Sequence, residues 1–278
     1  MPASPSAPPV PGVPPWPDPE IGHWVTVPPR GGEEPPLESW LSLPPAGPPR
    51  AGVLVLPEIF GINPWVRSVA GRLALAGYAA LAVPLFSRSA PGLALGYDAA
   101  AVQEGRSHKD RTTATALLAD LARAADWLAG AQPGLPVGLG CVGFCFGGHV
   151  ALLAASLPQL RASCDFYGAG VVTGRPGGGA PSLEGVAASP ARLLCVCGSE
   201  DPLIPPGEVA AIAEALTAAN AHRPPSEGHR LLTLPAGHGF LCEARADFRA
   251  EAAADGWQAL LAFFAETLGE GPMARAAV

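Results

Sequence analysis

Apolar and polar positions along this chain switch between two periods, and the switching lays out a series of elements. His23–Val27 and Leu37–Leu43 alternate apolar with polar residues, the pattern of strands with one covered face. A stretch rich in Pro and Gly divides them, which predicts an antiparallel pair. Gly52–Leu56 is an unbroken apolar run, expected of a strand covered on both faces. A helix starting near Pro64, with proline in its first turn, precedes a second such strand at 78–83. The helical period is clearest from Thr112 to Leu128, where Leu117, Leu118, Leu121, Ala124, Ala125 and Leu128 share one face. Beyond it the pattern predicts a strand at 137–142, a helix from Gly147 to Leu157 and short strands near 162–166 and 192–197. A helix from about Gly207, a strand at 230–234 and a helix near 250–267 complete the series. Gly174–Pro181 reads as a loop on composition.

Strand and helix alternating over this length imply an α/β fold: a mostly parallel sheet with helices on both faces and antiparallel strands at the N-terminal edge. No internal repeat is visible. Residues 1–20 are dense in proline with Ser, Ala and Gly, a composition that cannot bury enough apolar surface to fold, so a disordered arm is expected there. Residues 21–270 are expected to form a single domain, with 271–278 as a flexible tail.

Composition narrows the function classes. Hydrophobic residues make up 49% of the 278 and charged residues only 15%, enough core for one sizeable domain under a bland surface. The net charge is −7 and the basic residues, Lys109 and otherwise arginines, form no block. Nucleic-acid binding requires clustered cations to neutralise phosphates, so it is excluded. No apolar run reaches the ~18 residues of a membrane span, and Ala74–Phe86 is broken by Gly77 and Pro84. The N-terminus lacks the basic start and apolar core of a secretory signal, so a cytoplasmic location is expected, as a monomer or small homo-oligomer. Six cysteines are present. Cys195 and Cys197 point to one face of a strand, yet no second pair or nearby His completes a zinc set. Buried free thiols in a reducing compartment are expected, with no metal and no cofactor.

The chemistry concentrates at Gly143-Phe-Cys145-Phe-Gly147-Gly148, between a predicted strand and a predicted helix. This is a nucleophile-elbow arrangement with cysteine as nucleophile; the glycines let strand and helix approach closely, and the helix N-terminus favours negative charge on the sulfur. A glycine-rich turn that merely contains a cysteine would read the same way in isolation. A thiol nucleophile needs a base, and the base an orienting acid. His238 lies in Pro235-Ala-Gly-His-Gly-Phe240 after a predicted strand, whereas His149, on the helix after the elbow, reads as a packing or surface residue. Asp201 and Glu200 both follow the strand at 192–197; Asp201 is favoured because Pro202 fixes the loop. Glu58, in Pro57-Glu-Ile-Phe-Gly61, follows the strand at 52–56 and is expected beside Cys145, although a capping or solvated glutamate would look alike. The backbone N–H groups of Ile59 and Phe146 are the candidate oxyanion donors.

Five segments together, PEIFGIN at 57–63, GFCFGG at 143–148, CDFYGAG at 164–170, GSEDPLIP at 198–205 and AGHGF at 236–240, resemble the dienelactone hydrolase (carboxymethylenebutenolidase) family over about residues 22–268. The resemblance implies an α/β-hydrolase fold without a large lid, a Cys145–Asp201–His238 triad, and a role for Glu58 in activating the cysteine when substrate binds. It also implies a carboxylic ester hydrolase that opens a lactone or enol ester. The family's best-known members carry an arginine four residues after the catalytic histidine to grip the substrate carboxylate. Here that position is Cys242, leaving Arg245 and Arg88 as candidates. The segment 87–111 has no counterpart in that pattern. An esterase or thioesterase for other small carboxylic esters, and a non-catalytic binding protein on the same fold, are the competing readings; a binder would need none of the triad.

Overall fold

Among the residues that the computed structural model describes (21–32, 34–132, 134–135 and 138–269), the period-two and unbroken apolar segments become one sheet of eight strands. These are β1 (His23–Val27), β2 (Leu37–Ser42), β3 (Gly52–Leu56), β4 (Ala79–Ala82), β5 (Leu139–Phe144), β6 (Leu160–Phe166), β7 (Arg192–Gly198) and β8 (Arg230–Leu234). Their order is β1-β2-β4-β3-β5-β6-β7-β8. β2 runs antiparallel to both neighbours and the other pairings are parallel. The predicted arm at 1–20 and tail at 271–278 lie outside the described residues.

Among the described residues, α1 (Pro64–Leu75), α2 (Ala99–Lys109), α3 (Ala114–Ala131), α4 (Phe146–Ala154) and α5 (Pro206–Asn220) fill connections between strands, and α6 (Ala250–Leu268) follows β8. Successive residues of a strand face opposite ways. A side chain at Gly52 would come within 3.0 Å of Leu128 on α3. One at Gly140, beside Val53 in register, would come within 3.3 Å of Phe264 on α6. The two helices therefore cover opposite faces, and β3, buried at every position, lies between them. Tyr78 and Phe264 meet edge to face at 5.8 Å on the α6 side. The loops after β3, β5, β7 and β8 all emerge at the carboxyl ends of these parallel strands, where sites form in open α/β sheets.

Two differences from the pattern-based expectation bear on the site. β5 runs two residues further, to Phe144, because Gly143 stays paired with Leu56 and Phe144 with Phe166; the strand carries the chain directly into Cys145. α2 falls in the segment that offered no pattern. It buries only Ala101, Gly105 and His108, too few for an apolar stripe. Its legible signals are local: Asp98 accepts the Ala101 N–H at 2.8 Å as N-cap, and Arg106, His108 and Lys109 occupy the last turn.

Candidate active site

Cys145 sits between β5 and α4 with φ 54° and ψ −116°. Cys145 and Tyr167 are the non-glycine residues with positive φ among those described, a conformation that costs free energy and persists only where its surroundings enforce it. The enforcement is visible in the flanking glycines. A Cβ at Gly143 would lie 1.9 Å from the Gly147 carbonyl oxygen, and one at Gly147 would lie 2.3 Å from that of Leu56. The Cys145 N–H is held by the Phe166 carbonyl at 3.0 Å, and the His149 N–H returns to the Cys145 carbonyl at 3.1 Å. All six cysteines are free; five are buried and Cys145 alone is part exposed. Burial pushes Cys141 and Cys197 up to about 12, so those thiols stay neutral and inert.

His238 follows β8 and donates from Nδ1 to Asp201 Oδ2 at 2.8 Å. The other Asp201 oxygen accepts the Leu203 N–H at 2.8 Å, so the loop after β7 orients the carboxylate. Glu200 is exposed and takes no part in this pair. The His238 Nε2 is buried without a well-formed hydrogen bond, yet the ring is electrostatically coupled to the Cys145 sulfur. Burial alone would lower the histidine pKa; interaction with Cys145 and Asp201 outweighs it and raises the value to about 10. Tyr167, buried at the end of β6, packs edge-on against His238 at 5.3 Å and against Phe240 at 5.2 Å.

Glu58 is buried, and the partner of its Oε1 is Arg245 Nη1 at 2.8 Å. Burial raises the Glu58 pKa, and Arg245 and then His238 oppose that rise without cancelling it. The structure thus places Glu58 against Arg245 rather than directly on the sulfur. Arg245 stands three residues beyond Cys242 and reaches back because Gly239, at φ 81°, leaves room: a Cβ there would lie 2.6 Å from the guanidinium carbon. Arg88 is elsewhere, paired with Asp120 on α3, and does not line the cavity around Cys145.

That cavity has a volume of about 430 Å³ and is lined by Cys145, His238 and Arg245, with Ile59 and Phe146 among the remaining walls. The N–H groups of Ile59 and Phe146 have no acceptor among the described residues. Asp165, in the CDFYGAG segment, was not singled out by sequence reasoning. It is buried, its Oδ1 accepts the Gly168 N–H at 2.7 Å, and burial raises its pKa to about 7 despite that bond. The one hint in the sequence is an aspartate inside an otherwise apolar strand.

Residues 38–268 match the model of the dienelactone hydrolase family. A Synechocystis protein named as a candidate carboxymethylenebutenolidase is 37% identical over 213 residues, covering 76% of this chain and 84% of its own. A Bradyrhizobium protein named as a candidate 2-oxo-3-(5-oxofuran-2-ylidene)propanoate lactonase is 32% identical over 213 residues, covering 76% and 82%. The crystal structure of a candidate dienelactone hydrolase from Klebsiella pneumoniae superposes with a TM-score of 0.75 at 30% identity, over 88% of this chain and 98% of that one. No helix among the described residues is long and apolar enough to cross a membrane.

Proposed function

Because the chain belongs to the dienelactone hydrolase family, and is a carboxylic ester hydrolase of its α/β-hydrolase fold, we propose that it opens a lactone or enol ester by covalent catalysis at Cys145. The observation that carries this reading is the strained elbow of Cys145 at the wall of a cavity shared with His238, whose Nδ1 is held 2.8 Å from Asp201. The proton shared between thiol and imidazole rests on His238 Nε2, as its raised pKa requires, while Sγ attacks the carbonyl carbon. The developing oxyanion is received by the Ile59 and Phe146 N–H groups, which are left without acceptors of their own. The C–O bond to the leaving oxygen breaks, that oxygen takes the proton from His238, and a thioester remains. Water, deprotonated by the same nitrogen, then releases the acid and restores the thiol. Asp201, accepting from Nδ1 at 2.8 Å, fixes the ring's tautomer and orientation.

Glu58 and Arg245 add a condition. A substrate carboxylate competes with Glu58 for the Arg245 guanidinium. Once released, Glu58 is a buried carboxylate of raised pKa in the same site, suited to accept a proton. The six unpaired thiols support a reducing, cytoplasmic setting. The test is kcat/KM over a panel of lactones, carboxylate-bearing enol esters and p-nitrophenyl acetate, for the native protein and for Cys145→Ala. Loss of a triad nucleophile should lower activity roughly a thousandfold or more. A variant that keeps more than about a tenth would remove Cys145 from the chemistry.

A further inference from the structure

The cavity at Cys145 carries more positive charge than the triad uses. Of the 17 Lys and Arg in a chain of net charge −7, Arg106, Lys109 and Arg245 line this one cavity. No carboxylate lines it among the described residues. Arg245 is already bound to Glu58 behind the wall and to Asp247 at 3.4 Å. Arg106 and Lys109 stand apart from it on α2, three residues and about one helical turn from each other, so they face the same way. The Arg106 guanidinium has no partner among the described residues. Lys109 meets only its neighbour Asp110, at 3.3 Å in an exposed pair, a contact of little strength.

Several arginines elsewhere in this protein are neutralised by carboxylates: Arg88 and Arg123 by Asp120, Arg230 by Glu266. Among the described residues Arg106 lacks such a partner and Lys109 has only an exposed one, and both face a cavity. Lys109, Phe146 and Gly170 also line a second, adjoining cavity of about 340 Å³, to which Arg175 adds another unpartnered guanidinium. His149 on its wall is neutral: Nδ1 donates to the Ala169 carbonyl at 3.0 Å and Nε2 accepts from Ser182 Oγ at 2.7 Å. Asp110 is the carboxylate that reaches this second space. A cleft walled by one sign of charge concentrates ligands of the opposite sign.

We propose that Arg106 and Lys109 form a second anion subsite, and that the substrate is an ester or lactone bearing two carboxylates, one for Arg245 and one for α2. Buried Gly105 sets α2 directly against the Ile59 carbonyl, so the subsite is registered to the loop that receives the oxyanion. This rests on the Cys145 reading given above, and it narrows the substrate class within it.

The test compares 4-nitrophenyl hydrogen succinate, with one carboxylate, and 4-carboxyphenyl hydrogen succinate, with two. In Arg106→Gln/Lys109→Gln the ratio of kcat/KM for the dianionic over the monoanionic ester should fall about tenfold or more, chiefly through KM. The charge-keeping Arg106→Lys/Lys109→Arg should hold the ratio within about threefold of native. Independently of any variant, glutarate should inhibit the native protein at a concentration about tenfold or more below that of butyrate. An unchanged ratio in the charge-removing variant, or equal inhibition by glutarate and butyrate, would overturn the proposal. Cys145→Ala measured beside them separates the two levels: full hydrolysis of both esters by that variant would overturn the nucleophile, whatever the ratio says about α2.

Discussion

The pairing that most shapes this site joins residues 187 positions apart, Glu58 and Arg245. Cys145 and His238 were legible because the chemistry of each is written into its immediate neighbours, glycines two residues either side of the thiol and glycines flanking the imidazole. No local pattern could pair Glu58 with Arg245, since the arginine arrives from a loop after β8 and its path depends on Gly239. Two outcomes follow at this scale. Arg245→Gln should raise KM for a carboxylate-bearing ester about tenfold or more relative to p-nitrophenyl acetate, read from steady-state kinetics. Glu58→Gln removes a proton acceptor while keeping the shape of the side chain. It should lower kcat for the carboxylate-bearing ester about a hundredfold, with a smaller effect on the neutral ester, which does not dislodge Glu58 from Arg245. Equal losses on both esters would make Glu58 a structural partner of Arg245 and nothing more.

Elements that bury a full face were readable, and those that do not were missed. β3 and α3 could be placed from periodicity because every side chain of β3 is buried and α3 carries a continuous apolar stripe. α2 could not, because it lies over the Ile59 loop with three buried residues and presents its cations to the cavity. It is the element to which substrate selection is assigned here. The elbow is the opposite case: its glycines mark the strand-to-helix turn at Cys145, although β5 and α4 close on it more tightly than the pattern predicts. Its tightness gives a stability forecast: Gly147→Ala places a methyl 2.3 Å from the Leu56 carbonyl oxygen. Neither backbone segment can give way without moving β3 or β5, so the variant should lose about 3 kcal/mol, roughly 6–12 °C in Tm. A melting curve within about 2 °C of native would mean that the elbow is far more compliant than its contacts imply.

Over the whole molecule, the buried carboxyl of Asp165 ties stability to pH. Its pKa is raised by burial from 3.8 to about 7, so the native state binds a proton that the unfolded chain releases. Its contribution is fully present below about pH 4 and is lost as pH rises through about 7. Asp165→Asn keeps an oxygen for the Gly168 N–H and does not titrate. The Tm of the variant minus that of the native protein should therefore grow by about 5 °C between acid and mildly alkaline pH. A difference that is flat with pH would mean that Asp165 does not hold a proton in the fold. The central claim, that the sheet, the elbow and the triad serve one covalent step at sulfur, is tested most directly by trapping that step. The native protein is mixed with p-nitrophenyl acetate, quenched in acid during the first turnover, and digested for peptide mass mapping. The expected result is one acetyl group, on the Cys145 peptide, absent from Cys145→Ala. Turnover with the acetyl group mapped to any other residue would contradict it.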